Sequence, residues 1–123
     1  MKVEINNKTV VEKGFSTTYN VPIVKFSKIG CQINVSASKI LSLKKNGKNQ
    51  KIGFEVDRAR LFLTWDKEGF DPIPSKSDFN KFSIKSTGMI KMISHHLGID
   101  VKSTAFYLQE FKEGRYELSK VEV

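Results

Sequence analysis

Basic and aromatic side chains alternate along several segments of this 123-residue chain in a pattern that could bind nucleic acid. In ARLFLTW, a strand that buries its two leucines would place Arg60 and Phe62 together on its other side. Lys25 in VKFSK lies on a polar side, as do Lys81, Ser83 and Lys85 in KFSIK. Tyr107 alternates with apolar residues in AFYLQ. Single-stranded nucleic acid is held by cations that follow the phosphates and by rings that stack on bases. The alternative is that Phe62 and Tyr107 lie on the side covered by helices.

Further basic residues lie in predicted loops, turns and strand ends. The run KKNGKNQK contains four lysines and no acid, which suits phosphate contact, although a solvated loop has the same composition. The complete set of predicted nucleic-acid-binding residues is Lys25, Lys28, Lys44, Lys45, Lys48, Lys51, Arg58, Arg60, Phe62, Lys81, Lys85, Tyr107 and Arg115.

Catalytic and metal-binding patterns are weak by comparison. Cys31 has no neighbouring base in the sequence, and His95 and His96, being adjacent, point to different sides of a helix. The central acids would have to converge to form a metal-dependent nuclease site; they are Glu55, Asp57, Asp66, Glu68, Asp71 and Asp78. We therefore predict no catalytic residue, no metal site, no cofactor and no enzymatic activity, with a nuclease as the weaker alternative.

Composition favours a nucleic-acid partner and a reducing compartment. The chain has 21 Lys and Arg against 13 Asp and Glu, a net charge of +8, and a pI of about 9.6. A pI above about 9 is the electrostatic signature of nucleic-acid binding, although basic charge also serves solubility. One cysteine cannot form an internal disulfide, and no apolar run is long enough to span a membrane. We expect a cytoplasmic protein with no membrane partner.

Alternating apolar residues predict a hairpin in the first half of the chain. VPIVKFSK and CQINV flank Gly30, with Ile33 and Val35 inward and Gln32 and Asn34 outward. IGFEVDR and ARLFLTW predict a second hairpin, and residues 66–78, with two prolines and a glycine, predict an irregular connector. Residues 1–20 predict a terminal hairpin or a loose arm.

Two helices are predicted from capping residues and helical spacing. The first begins at a Ser36 cap and places Ala37, Ile40 and Leu43 on one face. The second follows a Ser86 or Thr87 cap and ends at Gly98, where a left-handed residue is needed. Its predicted core residues are Met89, Ile90, Met92, Ile93 and Leu97.

The order of elements in the first half recurs in the second. FNKFSIK predicts a strand before the second helix, and AFYLQEF and RYELSKVEV predict a closing hairpin. We therefore expect one domain over residues 1–123, with pseudo-repeats at about 21–65 and 79–123 joined by the connector 66–78. The predicted fold class is α+β, a duplicated β-α-β-β unit that forms an antiparallel curved sheet with two helices.

Two segments resemble known DNA-binding proteins. VKFSKIGCQINVSASKIL and FNKFSIKSTGMIKMI are similar in pattern to the positive-cofactor-four and whirly-like group of small single-stranded DNA-binding proteins of phage or bacterial type. That resemblance implies a homodimer or higher oligomer whose curved sheet holds single strands through basic and aromatic residues. SKIGCQINVS is also similar to the swapped-hairpin transition-state regulators, which bind duplex DNA.

Charge, patterning and resemblance together predict a sequence-tolerant binder of single-stranded DNA or RNA. Such a protein would serve replication, recombination or transcription, for example of a phage or mobile element. The alternative is a protein-interaction module, such as a phage-encoded inhibitor or assembly factor, whose basic surface meets an acidic partner.

Overall fold

A computed structural model describes residues 21–44, 48–76, 81–112 and 114–121 of the chain. The predicted hairpin or arm at residues 1–20, and Lys45 in the basic loop, lie outside these ranges. Neither described helix is long and apolar enough to span a bilayer.

Eight strands form one antiparallel sheet in the order β3-β4-β8-β7-β1-β2-β6-β5. The predicted α+β class and the predicted curved antiparallel sheet with two helices are confirmed. The strands are β1 (Ile23–Ser27), β2 (Gly30–Ile33), β3 (Ile52–Asp57), β4 (Arg60–Trp65), β5 (Ile73–Pro74), β6 (Phe82–Lys85), β7 (Ala105–Lys112) and β8 (Arg115–Lys120).

The connector predicted at residues 66–78 is not wholly irregular. Ile73 and Pro74 form β5, which pairs with Ser83 and Phe82 of β6 at the edge of the sheet. Proline is tolerated there because an edge strand needs ladder hydrogen bonds on one side only. Sequence patterning misses this strand because two residues are too few to alternate.

The first helix, α1 (Val35–Ile40), starts earlier than predicted. Its cap is Asn34, whose side chain accepts a hydrogen bond from the Ala37 amide, so the predicted Ser36 cap is wrong. Asn34 is also buried rather than outward, because β2 ends at Ile33 and the alternation stops there. Because the helix starts earlier, Ile40 is exposed, and Leu41 is buried in the core where Ile40 was predicted.

The second helix, α2 (Thr87–Leu97), follows the prediction closely. Ser86 caps its first turn by accepting a hydrogen bond from the Met89 amide at 3.1 Å. Gly98 ends it in the left-handed conformation, with φ of 74°. Met92 is the exception among the predicted core residues, since 59% of it is exposed on the side of the helix that faces β3.

Alternation along each strand gives the sheet an inner face that packs on the helices and an outer face that does not. The inner side chains form the core together with α1 and α2, and Phe26 at its centre contacts Phe106 edge to face at 5.4 Å. Each fully buried large apolar side chain stabilises the fold by roughly 1.5–3 kcal/mol. Leu61 and Leu63 belong to this core, which confirms the prediction that Arg60 and Phe62 point to the other side.

The sheet curls into a half-barrel. Phe54 on β3 contacts Phe26 on β1, with ring centroids 5.8 Å apart, although β4, β8 and β7 lie between those two strands in the sheet order. Ile52 and Phe70 exchange two backbone hydrogen bonds of 2.8 and 2.7 Å, which tie β3 to the segment that leads into β5. The curl encloses α2, which contacts both β2 and β3.

Candidate nucleic-acid interface

Three of the predicted lysines meet on the outer face of β1, β2 and β6. Lys25, Lys81 and Lys85 line a concavity of about 390 Å³. We call it the basic concavity and define it by Lys25, Gln32, Asn34, Lys76, Lys81, Ser83 and Lys85.

Strand register fixes the arrangement of these side chains. Lys25 lies opposite Gln32, and Gln32 lies opposite Ser83, so one polar side chain from each of three strands forms a row across the sheet. Lys85 lies opposite Gly30, two residues beyond Ser83 along β6 and therefore on the same side of the sheet. Neighbouring strands are about 4.8 Å apart, so the row spans about 10 Å.

The basic concavity is positively charged throughout. Lys25, Lys76 and Lys85 are exposed and Lys81 is half-buried, and among the described side chains that line the site there is no Asp or Glu. Within the described ranges, none of these four amines forms an ion pair with a carboxylate. No carboxylate in the described ranges therefore neutralises their charge.

Asn34 fixes one wall of the basic concavity to the helix behind it. Its buried Oδ1 accepts hydrogen bonds from the amides of Ile23 at 3.0 Å and Ala37 at 2.9 Å. Its Nδ2 donates to the Val21 carbonyl at 2.8 Å. One side chain therefore joins the start of β1, the end of β2 and the first turn of α1.

Tyr107 extends the polar surface of the sheet next to the basic concavity. On β7, Tyr107 lies opposite Ile23 of β1 and on the same side of the sheet as Lys25, and 40% of it is exposed. Diagonal neighbours on adjacent antiparallel strands are about 7–8 Å apart, so this ring is within reach of a ligand held by Lys25.

Three other predicted residues, Arg60, Phe62 and Arg115, lie apart from the basic concavity. Together with Phe111 and Glu117, which were not predicted, they define the Arg-Phe cluster. The Phe62 and Phe111 rings are 5.4 Å apart, and the Arg115 guanidinium lies 3.9 Å from the centre of the Phe62 ring. Arg60 donates two hydrogen bonds of 2.9 Å to the Glu117 carboxylate. That bond lowers the pKa of the Glu117 carboxyl, because it favours the ionised form.

The Arg-Phe cluster corrects the predicted stacking platform. Phe62 lies on the predicted side of β4, but it is only 2% exposed, so no base can stack on it. Arg115 is engaged as well, because its guanidinium lies 3.2 Å from Glu55 and 3.9 Å from Asp57. The alternative prediction for Phe62 was burial under a helix. Side chains of neighbouring strands, rather than a helix, cover its ring.

The remaining predicted cations are dispersed. Lys44, Lys48 and Lys51 are exposed on the loop between α1 and β3, where the Asn49 side chain exchanges hydrogen bonds of 2.8 and 2.9 Å with the Lys44 backbone. Arg58 lies in the tight turn between β3 and β4, and Lys28 lies in the turn between β1 and β2. None of these five lines the basic concavity.

Sequence reasoning did not include Lys76, Gln32 or Ser83 among the binding residues. Lys76 follows β5, which carries no strand signal, so no sequence pattern could have found it. Gln32 and Ser83 were correctly expected on polar strand sides, and their pairing across β2 and β6 is what makes them neighbours.

Nucleophilic and metal-binding groups are isolated in the described part of the chain. Cys31 is 3% exposed, and burial raises the pKa of its thiol to about 12, so the thiolate is scarce at neutral pH. No three His, Cys, Asp or Glu side chains of the described residues stand close enough together to hold a metal ion. Of the central acids, Glu55 and Asp57 face Arg115 rather than an open site.

Comparison of the chain with protein-family models, with curated proteins and with solved structures finds no significant match, so no relative indicates its function.

Proposed function

We propose that this chain binds single-stranded nucleic acid, with little sequence preference, in the basic concavity. The observation that carries the proposal is the convergence of Lys25, Lys76, Lys81 and Lys85 in one concavity that no carboxylate of the described residues lines. Lysine is a flexible point charge, so it attracts a phosphate backbone without demanding one geometry or one base.

The neighbouring polar groups fit the same ligand. Gln32 and Ser83 offer hydrogen bonds to phosphate or sugar oxygens between the lysines, and exposed Tyr107 offers a ring on which a base can stack. A single strand can turn its bases toward that ring, whereas a duplex keeps its bases stacked inside. This difference favours a single-stranded partner over a duplex.

The proposal includes an origin of the fold by duplication. The segments β2-α1-β3-β4 and β6-α2-β7-β8 have the same order, and each helix is preceded by a polar capping residue, Asn34 or Ser86. In the sheet β2 lies beside β6, and β4 lies beside β8, as a pseudo-twofold arrangement requires. The homodimer implied by the resemblance remains a prediction, which light scattering of the purified protein would test.

Fluorescence anisotropy with labelled oligothymidylate over a salt series tests the proposal. For single strands, each neutralised phosphate contributes about 0.7 to the slope of log affinity against log salt. The double variant Lys25→Ala/Lys81→Ala should therefore lose about 1.4 from the slope. The matched control is the Lys39→Ala/Lys67→Ala variant, which removes two exposed charges that line no part of the site and should leave the slope unchanged.

Tyr107 provides a second, independent test. Tyr107→Ala should weaken binding about 5- to 150-fold, which corresponds to one base stack of about 1–3 kcal/mol. Phe111→Ala is the matched control, because 42% of Phe111 is exposed on the same face but it belongs to the Arg-Phe cluster. If the wild type binds no oligonucleotide at low salt, the basic concavity serves another partner. Recovery of one acidic protein after nuclease treatment would then support a protein-interaction module.

A further inference from the structure

A second basic surface lies beside α2, on the helix side of the sheet. A groove of about 750 Å³ runs between α2 and the turn that joins β1 to β2. Thr87, Lys91 and His95 occupy successive positions four residues apart along the helix, about 6 Å per step, and all three line the groove. We call this feature the α2 groove.

Cations outnumber acids in the α2 groove. Lys28 lines it from the turn, Lys91 lines it from the helix, and both side chains are exposed. Lys102 also lines it, but its amine lies 3.7 Å from the Asp100 carboxylate, which is the acid among the lining residues. Lys28 and Lys91 are therefore the groove cations whose charge no described carboxylate neutralises.

The end of the groove is open. Gly98 has a left-handed backbone, and a Cβ added to it would meet no atom within 4 Å. Ile29 and Ile99, near the two rims, are 56% and 45% exposed. A flexible chain can enter here without displacing any packed side chain.

The turn between β1 and β2 connects the α2 groove, which its Lys28 lines, with a strand of the basic concavity. Gly30 pairs with Lys85, which lines the concavity, and a Cβ on Gly30 would overlap the Ile84 carbonyl. The residue before Gly30 in the turn, Ile29, accepts at its carbonyl a hydrogen bond of 2.8 Å from the Ser86 amide, directly before α2. The turn is thus held against the start of α2, with Lys85 on one side and Lys28 beside it.

We infer that a single strand bound in the basic concavity continues past Lys85 and Lys28 into the α2 groove, where Lys91 contacts its backbone. This inference rests on the proposed function and extends it. Lys25, Lys76, Lys81 and Lys85 serve the first segment of the strand, and Lys28 and Lys91 serve the second. The protein would therefore contact a long strand at about six phosphates and a short one at about four, and the salt dependence of binding reports that number.

Two oligonucleotides of different length separate the two segments. A six-nucleotide oligothymidylate is short enough for the concavity alone, and its expected slope is about −2.8, whereas an 18-nucleotide one should give about −4.2. Between about 50 and 200 mM salt, affinity for the longer strand should fall about 340-fold in the wild type and about 50-fold in the variant Lys28→Ala/Lys91→Ala. Binding of the short strand should not change in that variant.

The control variant Lys39→Ala/Lys67→Ala removes the same charge from exposed positions that line neither surface, and it should behave as the wild type. A Lys28→Ala/Lys91→Ala slope equal to that of this control on the 18-nucleotide strand would overturn the inference while leaving the proposed function intact. Failure of the wild type to bind either strand would refute both.

Cross-linking gives a reading that does not depend on variants. An 18-nucleotide strand that carries photoreactive thymidine at one end should label peptides containing Lys28 or Lys91, and peptides from the concavity should be labelled from the other end. Labelling confined to the concavity at every position of the photoreactive base would contradict the path.

Discussion

Replacing Asn34 by alanine should be among the most damaging substitutions of a polar residue in the described chain. The side chain is 6% exposed and accepts hydrogen bonds from the Ile23 and Ala37 amides, so alanine leaves two buried N–H groups without this partner. Leaving a buried group unsatisfied costs about 1–3 kcal/mol. For two such groups we expect a loss of about 2–6 kcal/mol in the free energy of unfolding.

Ser86→Ala is the matched control, because Ser86 caps the other helix with one hydrogen bond, to the Met89 amide. A lost cap of this kind costs about 1 kcal/mol. Asn34→Asp should recover only part of the loss, since its carboxylate can still accept both bonds but is a buried charge whose second oxygen faces the Val21 carbonyl.

Urea unfolding followed by circular dichroism measures all three variants against the wild type. The order of stability should be wild type, then Ser86→Ala, with Asn34→Ala the least stable. If Asn34→Ala costs no more than Ser86→Ala, the joint between β1, β2 and α1 does not depend on this side chain, and the reasoning is wrong.

Three further predictions follow from burial and pairing. Phe62→Ala should lower the free energy of unfolding by about 3–5 kcal/mol, because it removes a buried ring that packs under Arg115. A variant with the same urea midpoint of unfolding as the wild type would contradict that role. Cys31 should resist a thiol reagent at pH 8 in the folded protein and react after unfolding in urea, and rapid labelling without urea would refute its burial. The hydrogen bond from Arg60 lowers the pKa of the Glu117 carboxyl below its ordinary value of 4.5. The stabilisation from this ion pair is therefore complete above pH 4.5 and is lost as the pH falls through the lowered pKa of the folded protein. The difference in melting temperature between wild type and Arg60→Ala should accordingly be present at pH 7 and shrink below pH 4.5, and a constant difference would refute the pairing.

The side of each strand was predictable from sequence because alternation has a fixed period of two. Lys25, Lys81 and Lys85 were expected on polar sides, and all three lie on the outer face of the sheet. Their convergence was not predictable, because it depends on β2 pairing with β6 across about fifty residues of chain. Local patterns carry no information about which distant strands become neighbours.

The sequence also could not predict how deeply a side chain on the outer face is buried. Phe62 was expected on the correct side of β4, but its cover comes from Phe111 and Arg115, which lie far away in the sequence and arrive through the β4-β8-β7 pairing. The start of α1 was predicted wrongly because two residues compete as its cap. Asn34 and Ser36 are both good capping residues, and the choice depends on where β2 ends, which tertiary packing decides.

The order of strands in the sheet has a consequence for the way the chain is made. β7 and β8 leave the ribosome after the six other described strands, yet they lie between the β3-β4 hairpin and the β1-β2 hairpin. Until they are synthesised, β4 and β1 each present an open edge, and open edges pair with other chains. The sheet can therefore close only after translation of the closing hairpin, and a product that stops before residue 105 keeps both halves of the sheet exposed to aggregation.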